Sequence, residues 1–248
     1  MLAIIGGSGL TQLANLEVVR REIVRTPYGD PSGAITFGTI RGNPVAFLAR
    51  HGYGHTIPPH KVNYRANMWA LAQSEVKYIV SVASVGGIRA DLGPGTLAVP
   101  EQIIDYTHGR AFTYFDGSDR SVVHIDFTQP YCEALRQRLA QAAAEAAEPI
   151  VHGGTYGATQ GPRLETAAEI DRLERDGADM VGMTGMPEAS LARELGLCYA
   201  AIAVVVNHAA GRADSATGIK MADINAVSRN ALARVHRILD ALVALDDH

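Results

Sequence analysis

Apolar residues along the chain alternate between short unbroken runs and longer stretches in which they return every three or four positions. The runs LAIIG (2–6), AITFGTI (34–40), PVAFLAR (44–50), YIVSVASVG (78–86), GTLAVPEQIID (95–105) and AIAVVVN (201–207) predict strands. YRANMWALAQS, YCEALRQRLAQAAAEAA, TAAEIDRLERDGA, PEASLARELG and DINAVSRNALARVHRILDALVAL predict helices; in the last, Leu232, Val235, Leu239 and Leu242 mark one apolar face. Gly196 is placed to end a helix before the last strand. Strands alternating with helices predict an α/β fold, a sheet covered by helices on both faces. No linker, repeat or change of composition divides residues 1–248, so a single domain is expected.

In such sheets ligands gather where strands end. That rule selects five exits: GGSG, ARHG, SVGGIR, MTGMPE and VNHAA. The last breaks a wholly apolar run with Asn207 and His208.

Composition narrows the class. Hydrophobic residues make up 47% and charged residues 19%, and the net charge of −4 comes with no Lys/Arg-rich run, which argues against a nucleic-acid partner. No apolar run approaches the ~20 residues that a membrane-spanning helix needs. The opening MLAIIGGSGL lacks a basic segment and reads as a first strand rather than a signal peptide. Cys132 and Cys198 show neither metal nor redox spacing, so reduced thiols in a cytoplasmic protein are expected.

The exits carry anion chemistry. Gly6, Gly7 and Gly9 around Ser8 suit close backbone approach, although a tight turn explains them as well, and neither G-x-G-x-x-G nor a Walker lysine is present. Arg50 is a natural fork for phosphate oxygens and His51 follows it. His51, His55 and His60 invite a metal, but the loop has no carboxylate or cysteine and two prolines interrupt it; a phosphate-binding Arg-His pair or a solvated loop fits better. Thr184 either meets an anion or caps the helix expected from Pro187. Ser84 and its glycines form a further exit, and Glu165 either complements a helix dipole or accepts a ligand N–H.

GGSGL, ARHG…HT…P.KVNYRAN.WAL, GPRLET, GMTGMPE and the strand-final VVN, in that order over about residues 4 to 210, resemble the trimeric purine nucleoside phosphorylase and methylthioadenosine phosphorylase family. The resemblance implies a mixed sheet flanked by helices, a homotrimer, and phosphorolysis of a purine nucleoside with inorganic phosphate as co-substrate and no metal or organic cofactor. It implies phosphate contacts from Ser8, Arg50, His51, Ala83, Ser84 and Thr184, with Ala83 standing where one branch of the family carries Thr. Met183 would lie under the ribose, and His124 would reach a neighbouring subunit's site. Leu164 takes the place of a phenylalanine expected against the purine.

Asn207, His208 and Ala209 would meet the base. The methylthioadenosine branch ends this strand with two aspartates; here Asn207 and Ala209 stand instead. An amide donates as well as accepts, so Asn207 could donate to N7 or O6 of a 6-oxopurine while Glu165 accepts from N1–H. At the sugar's 5′ end, Ile219, Met221 and Ile224 replace the expected histidine; they form either an apolar pocket for a methylthio group or core packing for the helix. The expected reaction is phosphorolysis of 5′-methylthioinosine, with Asn207, Arg50 and His51 at its centre. A methylthioadenosine phosphorylase, an inosine/guanosine phosphorylase and a non-enzymatic nucleoside binder are the alternatives.

Overall fold

The computed structural model describes residues 1–117 and 121–245. Its strands are β1 (Leu2–Gly6), β2 (Glu17–Glu22), β3 (Ile35–Ile40), β4 (Asn43–Ala49), β5 (Tyr78–Gly87), β6 (Leu97–Val99), β7 (Gln102–Asp105), β8 (Val151–His152), β9 (Thr155–Ala158), β10 (Met180–Gly182) and β11 (Cys198–His208). The helices are α1 (Tyr64–Gln73), α2 (Glu133–Glu145), α3 (Ala167–Arg175), α4 (Gly185–Glu194) and α5 (Met221–Ala244). The strands form one mixed sheet, ordered β2-β3-β4-β1-β5-β10-β9-β7, while β11 joins β5 to β6 and β6 joins β8. The α/β expectation is met.

Two large clusters bury the faces of the sheet. One contains Ile5, Leu48, Met68 and Leu71; the other contains Ile4, Phe47, Val204 and the predicted α5 stripe Leu232, Val235, Leu239 and Leu242. Alternate residues of β1 thus enter opposite cores, the period-two consequence of a pleated strand covered on both sides. Gly196 ends the segment after α4 at φ +69°, as expected of a helix C-terminus.

The structure corrects three expectations. GTLAVPEQIID is two strands, because Pro100 has no N–H to donate and the chain changes partner there, from β11 and β8 to β9. The exit read at SVGGIR begins later than expected: Ser84 lies within β5, as the apolar run 78–86 predicts, and pairing continues to Gly87. Cys132 and Cys198 are not free thiols: they form a disulfide with a Cα–Cα distance of 5.2 Å. Cys132 caps α2 and its N–H donates to the Tyr199 carbonyl at 2.8 Å, which brings two residues 66 positions apart side by side. Among the described residues no helix is long and apolar enough to cross a membrane.

Candidate active site

The five exits converge on a cavity of about 740 Å³. Ser8, Arg50, His51, Ala83, Ser84, Met183, Thr184, Asn207 and Ala209 line it, together with Leu164, Glu165, Ile219, Met221 and Ile224. Two candidates do not. His208 directs Nδ1 towards Asp214, 3.8 Å away, and His124 is an exposed residue outside the lining of its own chain's cavity. His208 is displaced by a β-bulge: the register of β11 against β5 shifts between Val205 and Asn207, so the successive residues Val206 and Asn207 both reach the cavity.

Sheet topology opens one wall. β5 pairs with β1 through Ser81 and with β10 from Gly86 onwards. Among the described residues no strand covers 82–85 on that edge, so the backbone around Ala83 and Ser84 is available to a ligand. Gly7 packs there; a Cβ on it would come within 2.5 Å of the Val82 oxygen, so only glycine fits without displacing β5.

Arg50 is fully buried beside this opening. Its Nε and Nη2 donate to the two Glu188 oxygens at 2.7 and 2.9 Å, Nη2 also donates to Ser81 Oγ at 2.6 Å, and Nη1 donates to the Val82 carbonyl at 3.1 Å. Burial opposes the charge, but attraction and hydrogen bonds from Glu188 outweigh it, so the guanidinium pKa lies above its usual value. His51 points Nδ1 at the Ile57 carbonyl, 2.8 Å away. A carbonyl only accepts, so Nδ1 holds the proton and Nε2 is left with a lone pair. Burial first, and the Arg50 charge second, push the His51 pKa down to about 4. The imidazole is therefore neutral near pH 7. Thr184 precedes α4 but makes no side-chain capping bond; its hydroxyl lies instead beside that of Tyr156, at the cavity wall.

At the other group of lining residues, Glu165 Oε1 accepts from Thr159 Oγ1 at 2.5 Å. Glu165 lies outside the helix: Thr166 caps α3 and Glu169 completes the capping box, so Glu169 rather than Glu165 complements the dipole. Asn207 Nδ2 donates to the His208 carbonyl at 2.6 Å, which leaves its second N–H and its carbonyl oxygen for a ligand. Arg110 ties the neighbouring loops together by donating to the carbonyls of Thr159, Gln160, Met183 and Met186. His55 lines the cavity with its ring 5.0 Å from that of His51. Among the described residues no group of three or more His, Cys, Asp or Glu is placed to hold a metal.

Glu188, which ends the MTGMPE exit, Arg110 and the α5 residues Asn225, Ser228 and Arg229, all but the first two in the lining, have no individual signal in the sequence. Glu188 and Arg110 resemble ordinary surface charges in sequence; only burial distinguishes them. Chemically, the cavity offers backbone edges, hydroxyls and one buried guanidinium to a tetrahedral anion, and an amide and a carboxylate to a heterocycle.

The profile of the phosphorylase superfamily matches residues 1–244. A protein of Pseudomonas syringae pv. tomato named "Probable S-methyl-5'-thioinosine phosphorylase" is 53% identical over 96% of each chain. A "6-oxopurine nucleoside phosphorylase" of Pyrococcus furiosus is 48% identical over 85% of this chain and 80% of its own. A solved structure, methylthioadenosine phosphorylase from Schistosoma mansoni in complex with adenine, superposes with a TM-score of 0.93 at 35% identity, covering 98% of this chain and 91% of that one.

Proposed function

The chain belongs to the phosphorylase superfamily, and on that premise we propose that it cleaves S-methyl-5′-thioinosine with inorganic phosphate, yielding hypoxanthine and 5-methylthioribose 1-phosphate. One observation carries this reading: Asn207 and Glu165 line the same cavity as Arg50, Ser8, Ser84 and Thr184. Phosphate, as HPO₄²⁻, sits against Ser8, Arg50, His51, the Ala83–Ser84 backbone and Thr184. The neutral His51 accepts the phosphate O–H. The ribose lies over Met183 and the purine beside Leu164.

As the bond from C1′ to purine N9 breaks, a phosphate oxygen bonds to C1′, and the phosphate proton ends on the departing base. Negative charge accumulating on the purine is met by the Asn207 amide donating to N7 or O6, while Glu165 Oε2 accepts from N1–H. Ala209 stands where a methylthioadenosine enzyme would need a carboxylate, which favours the 6-oxo base. Ile219, Met221 and Ile224 form the 5′ wall, where the methylthio group packs.

No metal or organic cofactor takes part. Residues 1–248 act as one phosphorylase domain in a cytoplasmic homotrimer, with His124 entering the neighbouring copy's site. In that compartment the Cys132–Cys198 bond meets reducing thiols.

A 6-oxopurine nucleoside phosphorylase is the second reading, because Asn225 and Ser228 also line the cavity and could bond a 5′-hydroxyl. Base release from methylthioinosine, methylthioadenosine and inosine, with and without phosphate, decides between them. Hypoxanthine should appear only with phosphate and fastest from methylthioinosine. Asn207→Asp should move the preference between 6-oxo and 6-amino substrates by about 100-fold, the scale of an unpaired polar group in a site. Equal turnover without phosphate, or unchanged base selectivity in the variant, overturns the assignment.

A further inference from the structure

Glu188 is the one acidic side chain among the buried residues described, with 1% of its surface exposed. Its carboxylate has three donors: Arg50 Nε at 2.7 Å, Arg50 Nη2 at 2.9 Å and the Tyr199 hydroxyl at 2.8 Å. Burial and the Glu188 charge keep the Tyr199 phenol protonated, its pKa far above the usual value. The Tyr199 ring stacks on Tyr131 with centroids 6.0 Å apart and 16° between planes, which fixes the hydroxyl's direction.

The consequence falls on Arg50. A guanidinium has five N–H donors, and the bonds to Glu188, Ser81 and Val82 occupy four of them. A single Nη1 hydrogen remains, on a residue that lines the cavity. The adjacent carboxylate also offsets the guanidinium charge. A phosphate there meets one directed N–H of a neutralised pair rather than a free cation able to swing towards any anion.

We propose that Glu188, fixed by Tyr199, is a positioning residue that sets the direction and the net charge of Arg50 towards phosphate. The inference rests on the phosphorolysis reading above. Glu188→Gln keeps the shape but turns an amide N–H against the guanidinium and removes the charge, which frees Arg50 from its fork. Tyr199→Phe removes the hydroxyl's bond to Glu188 and its contact with Ser81, and little volume.

Steady-state kinetics with phosphate and nucleoside varied separately provide the test. For Glu188→Gln the phosphate KM should rise about 30-fold, the scale of a charge-assisted bond, with the nucleoside KM within about twofold. For Tyr199→Phe the phosphate KM should rise about fivefold, the scale of a neutral bond. Glu188→Asp, which keeps the charge, should recover part of the loss. Thermal melts identify folded variants; if Glu188→Gln does not fold, Tyr199→Phe decides by the same readout. A phosphate KM unchanged or lowered in folded variants, with kcat falling alone, makes the network merely structural and overturns the proposal. Phosphate-independent release of base by the unaltered enzyme removes the phosphorolysis reading and this inference with it. Phosphate dependence with variant-insensitive KM removes the inference alone.

Discussion

Most residues assigned to phosphate are buried, with Ser8 the exposed exception, whereas most of those assigned to the nucleoside, Ala209 apart, reach the surface in part. Arg50 and Glu188 are buried to 1% exposure or less, His51 and Thr184 to 6%, and their bonds leave few alternatives to the observed geometry. Leu164 is 40% exposed and Met221 60%, and the first turn of α5, which carries Ile224, lies at the surface. The contrast follows from what each group must do. A buried charge is tolerated only when its partners are fixed, so a phosphate subsite built on Arg50, as proposed, has to be part of the core. Reading the base and the 5′ substituent requires only a few directed bonds and apolar contact, which surface elements can supply and can exchange without unfolding the sheet.

The largest expected break in that contrast is Arg50→Met. It removes the charged donor and leaves Glu188 buried without its counter-ion, so both function and folding should suffer. The kcat/KM for phosphate should fall by about 10³-fold, and unfolding free energy by about 3–5 kcal/mol. Phosphorolysis assays together with urea unfolding measure both. A variant within tenfold of the parent would reduce the Arg50–Glu188 pair to a core ion pair. No comparable loss of stability should follow any substitution at Leu164 or Met221.

A smaller effect at the phosphate end is set by pH. The folded state holds the His51 pKa at about 4, below the ordinary 6.5. Between those values the unfolded chain binds the extra proton, so stability increases with pH through this window and is lost as pH falls from 6.5 towards 4. At about 1.4 kcal/mol per unit, the His51 contribution reaches about 3 kcal/mol at most. In His51→Asn, whose amide can still donate to the Ile57 carbonyl, unfolding between pH 4 and 6.5 should be less steeply pH-dependent by that amount. Parallel curves for the two proteins would mean that the imidazole is not held neutral.

The same contrast governs what the sequence makes legible. Long apolar runs such as LAIIG and AIAVVVN, and the amphipathic α5, declare themselves because periodicity and burial coincide. β8, β9 and β10 have only two to four residues each, too few to show a period, and β2 (EVVRRE) is exposed on every residue, so no alternation marks it. The candidate residues on strand exits are legible because their positions follow from topology. Glu188 is not, since a glutamate in the first turn of a helix looks like a solvated complement to the dipole. The bulge that turns His208 away from the cavity and the pairing of Cys132 with Cys198 depend on register and on contacts across 66 residues, and no local spacing records either.

The smallest predicted effect belongs to the nucleoside end. Met221 opens α5, lines the cavity and is 60% exposed, so it owes little to the core and makes a cleaner probe than Ile224, which packs against the second apolar cluster. If a methylthio group covers Met221 on binding, Met221→Ala forfeits apolar contact worth about 1 kcal/mol, near the 0.8 kcal/mol of one buried methylene. The kcat/KM for methylthioinosine should then fall about fivefold, while inosine, whose hydroxyl gains nothing from that wall, should change by less than about twofold. The thermal midpoint should stay close to that of the parent, which separates lost contact from lost packing. Equal losses on both nucleosides would place Met221 over the ribose instead, and would hand the discrimination at the 5′ end to Asn225 and Ser228.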